Sequence, residues 1–211
     1  RGEARGPAFD EVLMSDPFSL TITPPAWLAD YLRSAPPLSG DEARMAYVIG
    51  AARRNIEQGD GGPFAAGVFE RETGRLVSLG VNMVATAGLS FLHAEVMALA
   101  LAQRRVGSFD LGQAGLPAHE LVTSAAPCAM CLGAVPWSGV VRLVAGARGE
   151  DVEAVGFDEG AKPADWTQGL AARGIAVAAD VLREEAAAVL RDYAAKGGEI
   201  YNPVRGKRPP Q

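Results

Sequence analysis

Both cysteines of this chain lie in one segment, APCAMCLGAVPW, where Cys128 and Cys131 are separated by two residues. If the segment is helical, positions i and i+3 lie on the same face, so the two sulfur atoms can contact a single atom. A helix N-terminus also favours thiolates over thiols. The spacing alone is compatible with a redox pair, with half of a structural or a catalytic metal site, and with two ordinary core thiols.

A second motif, HAEV at residues 93–96, favours the catalytic metal site. His93 is one of two histidines in the chain. One neutral imidazole and two thiolates are three ligands for tetrahedral zinc, and catalytic zinc sites keep the fourth position open for water. A closed structural site would need His119 as its fourth ligand, but we expect that residue at the far end of the strand HELVTS. We therefore predict a catalytic zinc site formed by His93, Cys128 and Cys131.

Glu95 follows His93 by two residues and would supply the base that such a site needs. Two thiolates and one imidazole leave a zinc centre formally neutral, so the metal activates water less than a centre with three neutral ligands would. We expect His93 at or before the first turn of a helix, with Glu95 projecting past it. The alternative is a first-turn glutamate that only favours the helix dipole.

The surrounding sequence predicts an α/β domain that positions these motifs. A capping box at Ser39 and Glu42 predicts a helix to about Gln58, and the runs FAAGVFE and RLVSLGVNMV, separated by RETG, predict a hairpin. Helices and strands then alternate: helix HAEVMALALAQRRVG, strand HELVTS, a helix from Pro127, strand GVVRLVAGA, helix KPADWTQGLAARG, strand IAVAA and helix LREEAAAVLRDYAAKGG. This order predicts a mixed sheet of about five strands, antiparallel first and parallel later, with helices on both faces.

Length and composition indicate one domain with extensions. A chain of 211 residues with 48% hydrophobic content can bury a full core. We interpret residues 1–13, which precede the first methionine, as a leader or tag. Residues 14–40 are interpreted as an N-terminal arm with a helical turn from Pro25, residues 41–202 as the main domain, and 203–211 as a tail.

Charge and cysteine content limit the partners and the compartment. The chain carries 20 Lys and Arg against 25 Asp and Glu, a formal net charge of −5, which disfavours binding to nucleic acid. The basic cluster Arg205, Lys207 and Arg208 is interpreted as a solvated terminus. No apolar run approaches the roughly 18 residues of a membrane span, and two cysteines cannot stabilise a domain of this size through disulfides. These features predict a cytoplasmic protein with a small neutral or cationic substrate.

Taken together, HAE at 93–95 and PCAMC at 127–131 match the H-x-E…P-C-x-x-C signature of cytidine-deaminase-like zinc deaminases, in which the Glu is a general acid/base and not a ligand. The chain resembles this superfamily over roughly residues 41–202. The resemblance implies a three-layer α/β/α fold with a mixed central sheet, one zinc ion and hydrolytic deamination. Within the superfamily, the elements GPF at 62–64, Asn82, GFDEG at 156–160 and GGEIYNP at 197–203 are similar to those of the guanine deaminase and nucleobase deaminase branch.

The resemblance also implies roles for further residues. Asn82 would hydrogen-bond the base and Glu159 would contact the purine or move its protons. The remaining predicted substrate contacts are the ring-pocket residues Phe64 and Trp137, the backbone near Ala94, and Asp158. Each has an alternative: Asn82 could close a turn, Trp137 could belong to the core, and Asp158 or Glu159 could cap the next helix.

Two departures from the branch bear on the substrate. The branch often has Glu before the Pro-Cys pair and Gly after the Phe, whereas this chain has Ala126 and Ala65. Zinc chemistry tolerates both changes, but the shape of the substrate pocket is left open by them.

We interpret the protein as a zinc-dependent aminohydrolase in which Glu95 takes a proton from water and returns protons to a ring nitrogen and the leaving amine. Guanine is the favoured substrate; cytosine, guanosine, a triazine such as ammeline and tRNA adenosine are the alternatives. A thiol redox protein and a zinc-stabilised binding module are the rival classes. The C-terminal helix followed by EIYNPVRG resembles tails that close the active site of a neighbouring subunit in this branch, which implies a homodimer with tail exchange.

Overall fold

A five-stranded mixed sheet forms the centre of the computed structural model, which describes residues 19–202. The strands are β1 (Ala65–Glu70), β2 (Leu76–Val81), β3 (His119–Ala125), β4 (Arg142–Ala147) and β5 (Ala176–Ala178), in the spatial order β2-β1-β3-β4-β5. β1 is antiparallel to β2 and β3, while β3, β4 and β5 are mutually parallel. The predicted mixed sheet is confirmed. The predicted leader at 1–13 and the basic tail cluster lie outside the described residues.

Helices cover both faces of the sheet because its central strands are apolar on both sides. Every residue of β1, β2 and β3 is buried, as expected for strands enclosed between two helical layers. The helices are α1 (Ala26–Arg33), α2 (Gly40–Gln58), α3 (Val84–Ala87), α4 (Ala94–Val106), α5 (Ala129–Ala134), α6 (Gly149–Ala154), α7 (Trp166–Ala171) and α8 (Arg183–Ala195), with a 3₁₀ turn at Val135–Trp137. One core joins α2 and α8 to the sheet, and the other joins α4 and α7 to its opposite face.

The start of α2 is fastened to the sheet by charge pairs, and the predicted capping box is not formed. Ser39 precedes the helix, but its side chain makes no capping hydrogen bond. The engaged carboxylate of the first turn is Asp41, which accepts two hydrogen bonds from Arg142 at 2.7 and 2.6 Å. Arg142 also donates to the fully buried Glu120 at 3.0 Å, and Arg44 of α2 pairs with the same carboxylate. These ion pairs replace the local cap as the device that holds the helix start.

Two short helices were not predicted from the sequence. α3 follows β2 directly, and α6 follows β4 over the sequence GEDVEA. α6 has a capping pair in which the Asp151 carboxylate accepts from the Arg148 backbone N–H at 2.8 Å. Asp151 also accepts from Arg183 at the start of α8. Gly149, the first residue of α6, lies close to the loop that follows this helix.

The N-terminal arm packs on α2 through aromatic side chains. Trp27 Nε1 donates to Asp60 Oδ2 at 2.7 Å, and the Tyr31 hydroxyl donates to the Tyr47 carbonyl at 3.1 Å. Arg54 of α2 lies over the Trp27 ring with its guanidinium carbon 5.1 Å from the centroid. Among the helices of residues 19–202, none combines the length and the apolarity that crossing a membrane requires.

Candidate active site

Three potential metal ligands converge at the N-termini of α4 and α5. His93 is the residue that precedes α4, Cys128 precedes α5, and Cys131 lies in the first turn of α5. Their ligand atoms all lie within 4.8 Å of one another, and His93 Nδ1 is 3.5 Å from Cys128 Sγ. Within residues 19–202 this is the only group of three or more His, Cys, Asp or Glu side chains that could hold a metal ion. It excludes His119, which is buried with its Nδ1 bonded to the Leu111 carbonyl oxygen at 2.8 Å.

The sheet topology explains why these helices begin together. β2 and β3 are both antiparallel to β1, so their carboxyl ends lie at the same edge of the sheet, as does that of β4. His93 follows β2 and Cys128 follows β3. Ligand sites of open α/β sheets typically form outside the carboxyl ends of the strands. Residues that are distant in sequence therefore meet at this edge.

The geometry and charge of the three ligands fit zinc. Zinc–sulfur and zinc–nitrogen bonds of about 2.3 and 2.1 Å at tetrahedral angles would place sulfur and nitrogen about 3.6 Å apart, close to the 3.5 Å between Cys128 and His93. A hydrogen bond from Cys131 lowers the pKa of the Cys128 thiol to about 4, and the resulting thiolate raises the pKa of Cys131. A divalent cation is the partner that lets both sulfurs be thiolates.

Glu95 is held beside the ligands and away from bulk water. Its side chain belongs to the first turn of α4 and only 7% of its surface is exposed. Glu95 Oε2 lies 3.4 Å from the Cys131 sulfur. Burial raises the pKa of Glu95 above the ordinary value of a glutamic acid. The carboxyl can therefore take up a proton readily, which is the property that a general base needs.

A cavity of about 690 Å³ opens over these residues and brings most of the predicted site together. Its walls include His93, Cys128 and Glu95. They also include four of the predicted substrate-contacting residues, namely Phe64, Asn82, Asp158 and Glu159. The volume lies in the ordinary range for small-molecule sites.

Two residues predicted to contact the substrate, Trp137 and Ala94, are not among those that line the cavity. Trp137 does not line the cavity, contrary to the prediction, because the 3₁₀ turn after α5 directs Val135 into the core and leaves the Trp137 side chain 85% exposed. Ala94 is fully buried between His93 and Glu95 and also does not line the cavity. The role of its backbone stays a prediction.

Asn82 is fixed in the cavity wall by hydrogen bonds on both sides. Its Nδ2 donates to the Tyr201 hydroxyl oxygen at 2.6 Å, and its Oδ1 accepts from the Val84 N–H at 3.3 Å. Asn55 donates to the carbonyl oxygens of Asn82 and Gly62 at 3.0 and 2.9 Å, which ties the GPF loop to this strand end. Gly61 approaches so closely that a Cβ there would lie 1.9 Å from the Asn82 carbonyl oxygen.

An aromatic wall of Phe157 and Tyr201 was missed by the sequence analysis. Phe157 packs on Phe64 with ring centroids 5.1 Å apart and on Tyr201 at 5.2 Å, and the Tyr201 ring meets His93 at 6.2 Å. Burial raises the pKa of Tyr201, so its hydroxyl stays neutral. Both residues lie in segments that the resemblance singled out, GFDEG and GGEIYNP, but neither side chain signals by itself that the two segments meet.

Asp158 and Glu159 are neighbours with different surroundings. Asp158 is exposed, and its Oδ1 accepts from the Gly160 N–H at 2.8 Å in a local turn. Glu159 is buried, and burial raises its pKa to about 7 although the nearby Lys162 lowers it. A carboxyl with a pKa near neutrality can donate or accept a proton under ordinary conditions. Glu159 is thus the second acid/base candidate in the cavity.

The two departures from the branch pattern have different positions. Ala126 lines the cavity and is held by a hydrogen bond from its N–H to the Ala147 carbonyl oxygen at 2.7 Å. Ala65 is fully buried in β1, where its N–H donates to Ser124 Oγ at 3.1 Å. Only the side chain of Ala126 can contact a molecule in the cavity.

Comparisons with known proteins agree with this geometry. Residues 38–147 match the family described as the cytidine and deoxycytidylate deaminase zinc-binding region. The guanine deaminase of Bacillus subtilis (strain 168) is 31% identical over 118 residues, which are 56% of this chain and 71% of that protein. A solved guanine deaminase from Nitrosomonas europaea is 51% identical, with 84% of this chain and 97% of that chain covered and a TM-score of 0.81.

A further solved relative is the protein NE0047 in complex with 2,6-diaminopurine. It is 52% identical, the match covers 87% of this chain and 97% of that chain, and the TM-score is 0.83. Structures of NE0047 with 8-azaguanine have been solved for variants at one asparagine and at one glutamate.

Proposed function

We propose that this chain, which belongs to the family described as the cytidine and deoxycytidylate deaminase zinc-binding region, hydrolyses guanine to xanthine and ammonia. The observation that carries the proposal is the convergence of three metal ligands and the buried Glu95 at a cavity that is large enough for a nucleobase. Neither a redox pair nor a binding module accounts for a buried carboxyl beside the ligands.

The protein's side chains divide the reaction between them. His93, Cys128 and Cys131 would hold the zinc ion, which would act as a Lewis acid and lower the pKa of water. Glu95 accepts a proton from the attacking water and delivers it to a ring nitrogen. It then takes the second proton from the hydroxyl group of the adduct and delivers it to the amino group. The water oxygen bonds to the amino-bearing carbon, the carbon–nitrogen bond breaks, and ammonia leaves. The burial of Glu95 keeps bulk water from exchanging these protons during the reaction.

Recognition of the base is assigned to the cavity walls. The Asn82 amide can donate and accept hydrogen bonds, and Glu159 can accept from a ring N–H. Phe64 and the aromatic wall on which it packs offer a face against which a planar heterocycle can pack. Guanine presents both N–H donors and a carbonyl acceptor, so it can satisfy these groups together.

The choice of guanine is supported by the relatives. Two of them are guanine deaminases, and NE0047 binds 2,6-diaminopurine and 8-azaguanine. The asparagine and the glutamate that were substituted in NE0047 are separated along that chain by the same number of residues as Asn82 and Glu159 are here. This spacing supports the assignment of these two residues to base recognition and proton transfer.

A screen for ammonia release tests the proposal. The zinc-loaded protein is incubated with guanine, guanosine, cytosine and ammeline, and the initial rates are compared. We expect guanine to be the preferred substrate. A preference for one of the other three would refute guanine while leaving the deaminase assignment in place, and no release from any of them would refute the proposal and favour a zinc-stabilised binding module.

We also propose that the protein is a homodimer whose C-terminal segments are exchanged. Support comes from Trp137 and Phe109, which are 85% and 83% exposed and lie on adjoining turns joined by the hydrogen bond from the Leu111 N–H to the Ser138 carbonyl oxygen. Exposed aromatic clusters of this kind mark protein interfaces. Tyr201 bonds Asn82 within one chain, and in the proposed exchange the equivalent bond would join two subunits. The two glycines at 197–198 precede this segment and are a natural place for the chain to change direction.

Light scattering tests the dimer. The intact chain should have twice the mass of one chain, and Trp137→Ser should shift the population toward the monomer. A monomer that keeps full activity after deletion of residues 198–211 would contradict both the dimer and the exchange.

A cytoplasmic location is part of the same proposal. Cys128 and Cys131 are free thiols that lie close together, and a disulfide between them would remove two of the three zinc ligands. A reducing compartment preserves the site. Recovery of the native protein from a cell fraction other than the cytoplasm would refute this part.

A further inference from the structure

Lys162 lies behind the cavity and connects the carboxyl of Glu159 to the helix that carries the cysteines. Its Nζ donates to Glu159 Oε2 at 3.0 Å and to the Pro127 carbonyl oxygen at 3.0 Å. Only 13% of the Lys162 side chain and 8% of the Glu159 side chain are exposed. Lys162 itself does not line the cavity that contains Glu95. Lys162 can therefore affect a molecule in that cavity only through the groups to which it donates hydrogen bonds.

The backbone of the same loop provides a second link to the cysteine helix. The Ala129 N–H donates to the Glu159 carbonyl oxygen at 2.9 Å. Ala129 is the first residue of α5, and Pro127 directly precedes the ligand Cys128. The backbone bond holds the main chain of Glu159, and Lys162 holds its side chain. Together they set where the carboxyl lies relative to the metal ligands.

The Lys162 ammonium group has an aromatic neighbour and a glycine close by. The Trp166 ring lies on one side, with its centroid 5.7 Å from Nζ. Gly149, at the start of α6, lies on another side, where a Cβ would be 3.2 Å from Nζ. A cation packed against an aromatic ring and two acceptors has a defined position.

We propose that Lys162 is a positioning residue that holds the Glu159 carboxyl in the orientation that the bound base requires, with the Pro127 carbonyl oxygen and the Trp166 ring fixing the ammonium group. This proposal rests on the proposed function, since it assigns Glu159 to contact with the base. The effect of Lys162 is transmitted through one side chain. Removal of the lysine should therefore matter only when Glu159 is present.

A double-mutant cycle tests this dependence. Lys162→Met keeps the length of the side chain and removes the ammonium group. In the otherwise unchanged protein we expect kcat/KM for guanine to fall by roughly 10- to 100-fold, because a displacement of about 1 Å at a reacting group can cost this much. In the Glu159→Gln background the same substitution should change kcat/KM by less than about threefold. Equal losses in both backgrounds would overturn the proposal, because Lys162 would then act through Pro127 or the fold.

The split between kcat and KM gives a second readout. If Lys162 acts through Glu159, Lys162→Met should change kcat and KM in the same direction and proportion as Glu159→Gln does, and Lys162→Arg should restore part of the activity. A merely structural lysine would not reproduce the kinetic pattern of another residue. Lys196→Met, at an exposed lysine that ends α8, is the matched control and should behave like the unchanged protein.

A second variant keeps the proposal testable if Lys162→Met folds poorly. Gly149→Ala keeps Lys162 and its charge but crowds Nζ, and it should lower kcat/KM only in the presence of Glu159. Thermal unfolding identifies any variant that has lost the fold. Full activity of both Gly149→Ala and a folded Lys162→Met would overturn the proposal.

The experiment also distinguishes failure of this proposal from failure of the proposed function. If the protein prefers another base, the same cycle is run with that base and the dependence on Glu159 is expected to persist. If no base is turned over, the cycle is measured by calorimetric binding of 8-azaguanine instead. Loss of affinity on Lys162→Met that disappears in the Glu159→Gln background would support Lys162 as a positioning residue even though guanine deamination had failed. Unchanged affinity would overturn it.

Discussion

Replacement of Glu95 by Gln isolates the proton-transfer step from metal binding. Gln has nearly the same volume as Glu, and its amide group can occupy the same position 3.4 Å from the Cys131 sulfur. The substitution replaces none of the three ligands. We expect the variant to retain zinc and to bind guanine nearly as well as the unchanged protein.

The expected loss of turnover follows from the groups that surround the cavity. Its carboxyl side chains are Glu95, Asp158, Glu159 and Glu199. Asp158 and Glu199 are exposed, and Glu159 is bonded to Lys162. None of these three can replace a buried base next to the cysteines. A positioned acid/base group contributes about 10²–10⁴-fold, so kcat should fall by at least roughly 10³-fold, or about 4 kcal/mol in barrier height.

The fold should not suffer from the same change. Burial disfavours the charged form of Glu95, as the direction of its pKa shift shows. A neutral amide avoids this cost, so the melting temperature of Glu95→Gln should equal or exceed that of the unchanged protein. A drop in activity accompanied by unfolding would therefore not fit the argument.

The assay combines ammonia release, zinc content by elemental analysis and thermal unfolding. Glu184→Gln, at an exposed residue of α8 that pairs with Arg191, is the control for the chemical change itself. It should leave all three measurements unchanged. If Glu95→Gln turned over guanine within about tenfold of the unchanged protein, the mechanism would be wrong even with zinc in place.

Three further predictions concern the metal, acid stability and the cavity wall. The protein should contain about one zinc per chain, and replacement of either ligand cysteine by serine should release it. Full zinc occupancy after both cysteines are changed to alanine would contradict the assignment of the metal site. The hydrogen bond from Arg75 lowers the pKa of Glu70 from 4.5 to about 2, so its stabilising effect is complete above pH 4.5 and is lost as pH falls toward 2. In urea unfolding, the free energy of unfolding of Glu70→Gln should therefore depend less on pH in this window than that of the unchanged protein. Equal slopes of this free energy against pH would refute the prediction. Gly61→Ala should raise KM and destabilise the fold by about 1–3 kcal/mol through the clash with Asn82, whereas Gly169→Ala, which meets open space, should do neither in the same assays.

The predictions of family, fold class and zinc were accessible from sequence because they depend on strong local signals. The paired motifs around His93 and Cys128 specify ligand types and order, and the regular alternation of helices and strands specifies a layered α/β fold. All three predictions are confirmed by the structure and by the relatives. The failed capping box shows the limit of such signals. Ser39 and Glu42 have the required types, but the charge pair between Asp41 and Arg142, which are 101 residues apart, holds the helix start instead.

The aromatic wall could not be predicted because it depends on where two distant segments meet. Phe157 follows the sheet strand β4, and Tyr201 follows the last helix. Their contact is fixed by Asn202, which accepts from the Asp158 N–H at 2.9 Å and donates to the Gly156 carbonyl oxygen at 2.7 Å. No periodicity or spacing encodes such a contact. The prediction that Trp137 lines the cavity does not hold for a different reason. An aromatic side chain favours a pocket or a core position, but the turn that carries Trp137 directs it to the surface.

The arrangement separates the chemistry of the site from its recognition of the base. The metal ligands and Glu95 lie on helix starts that follow buried strands, so their positions are set by the packed sheet. Tyr201 and Glu159 lie on loops that are held by side-chain hydrogen bonds to Asn82 and Lys162. Loop contacts of this kind can change without disturbing the core. Substitutions in these loops should therefore alter which heterocycle is accepted long before they alter the reaction, whereas substitutions at the helix starts should abolish turnover of every substrate alike.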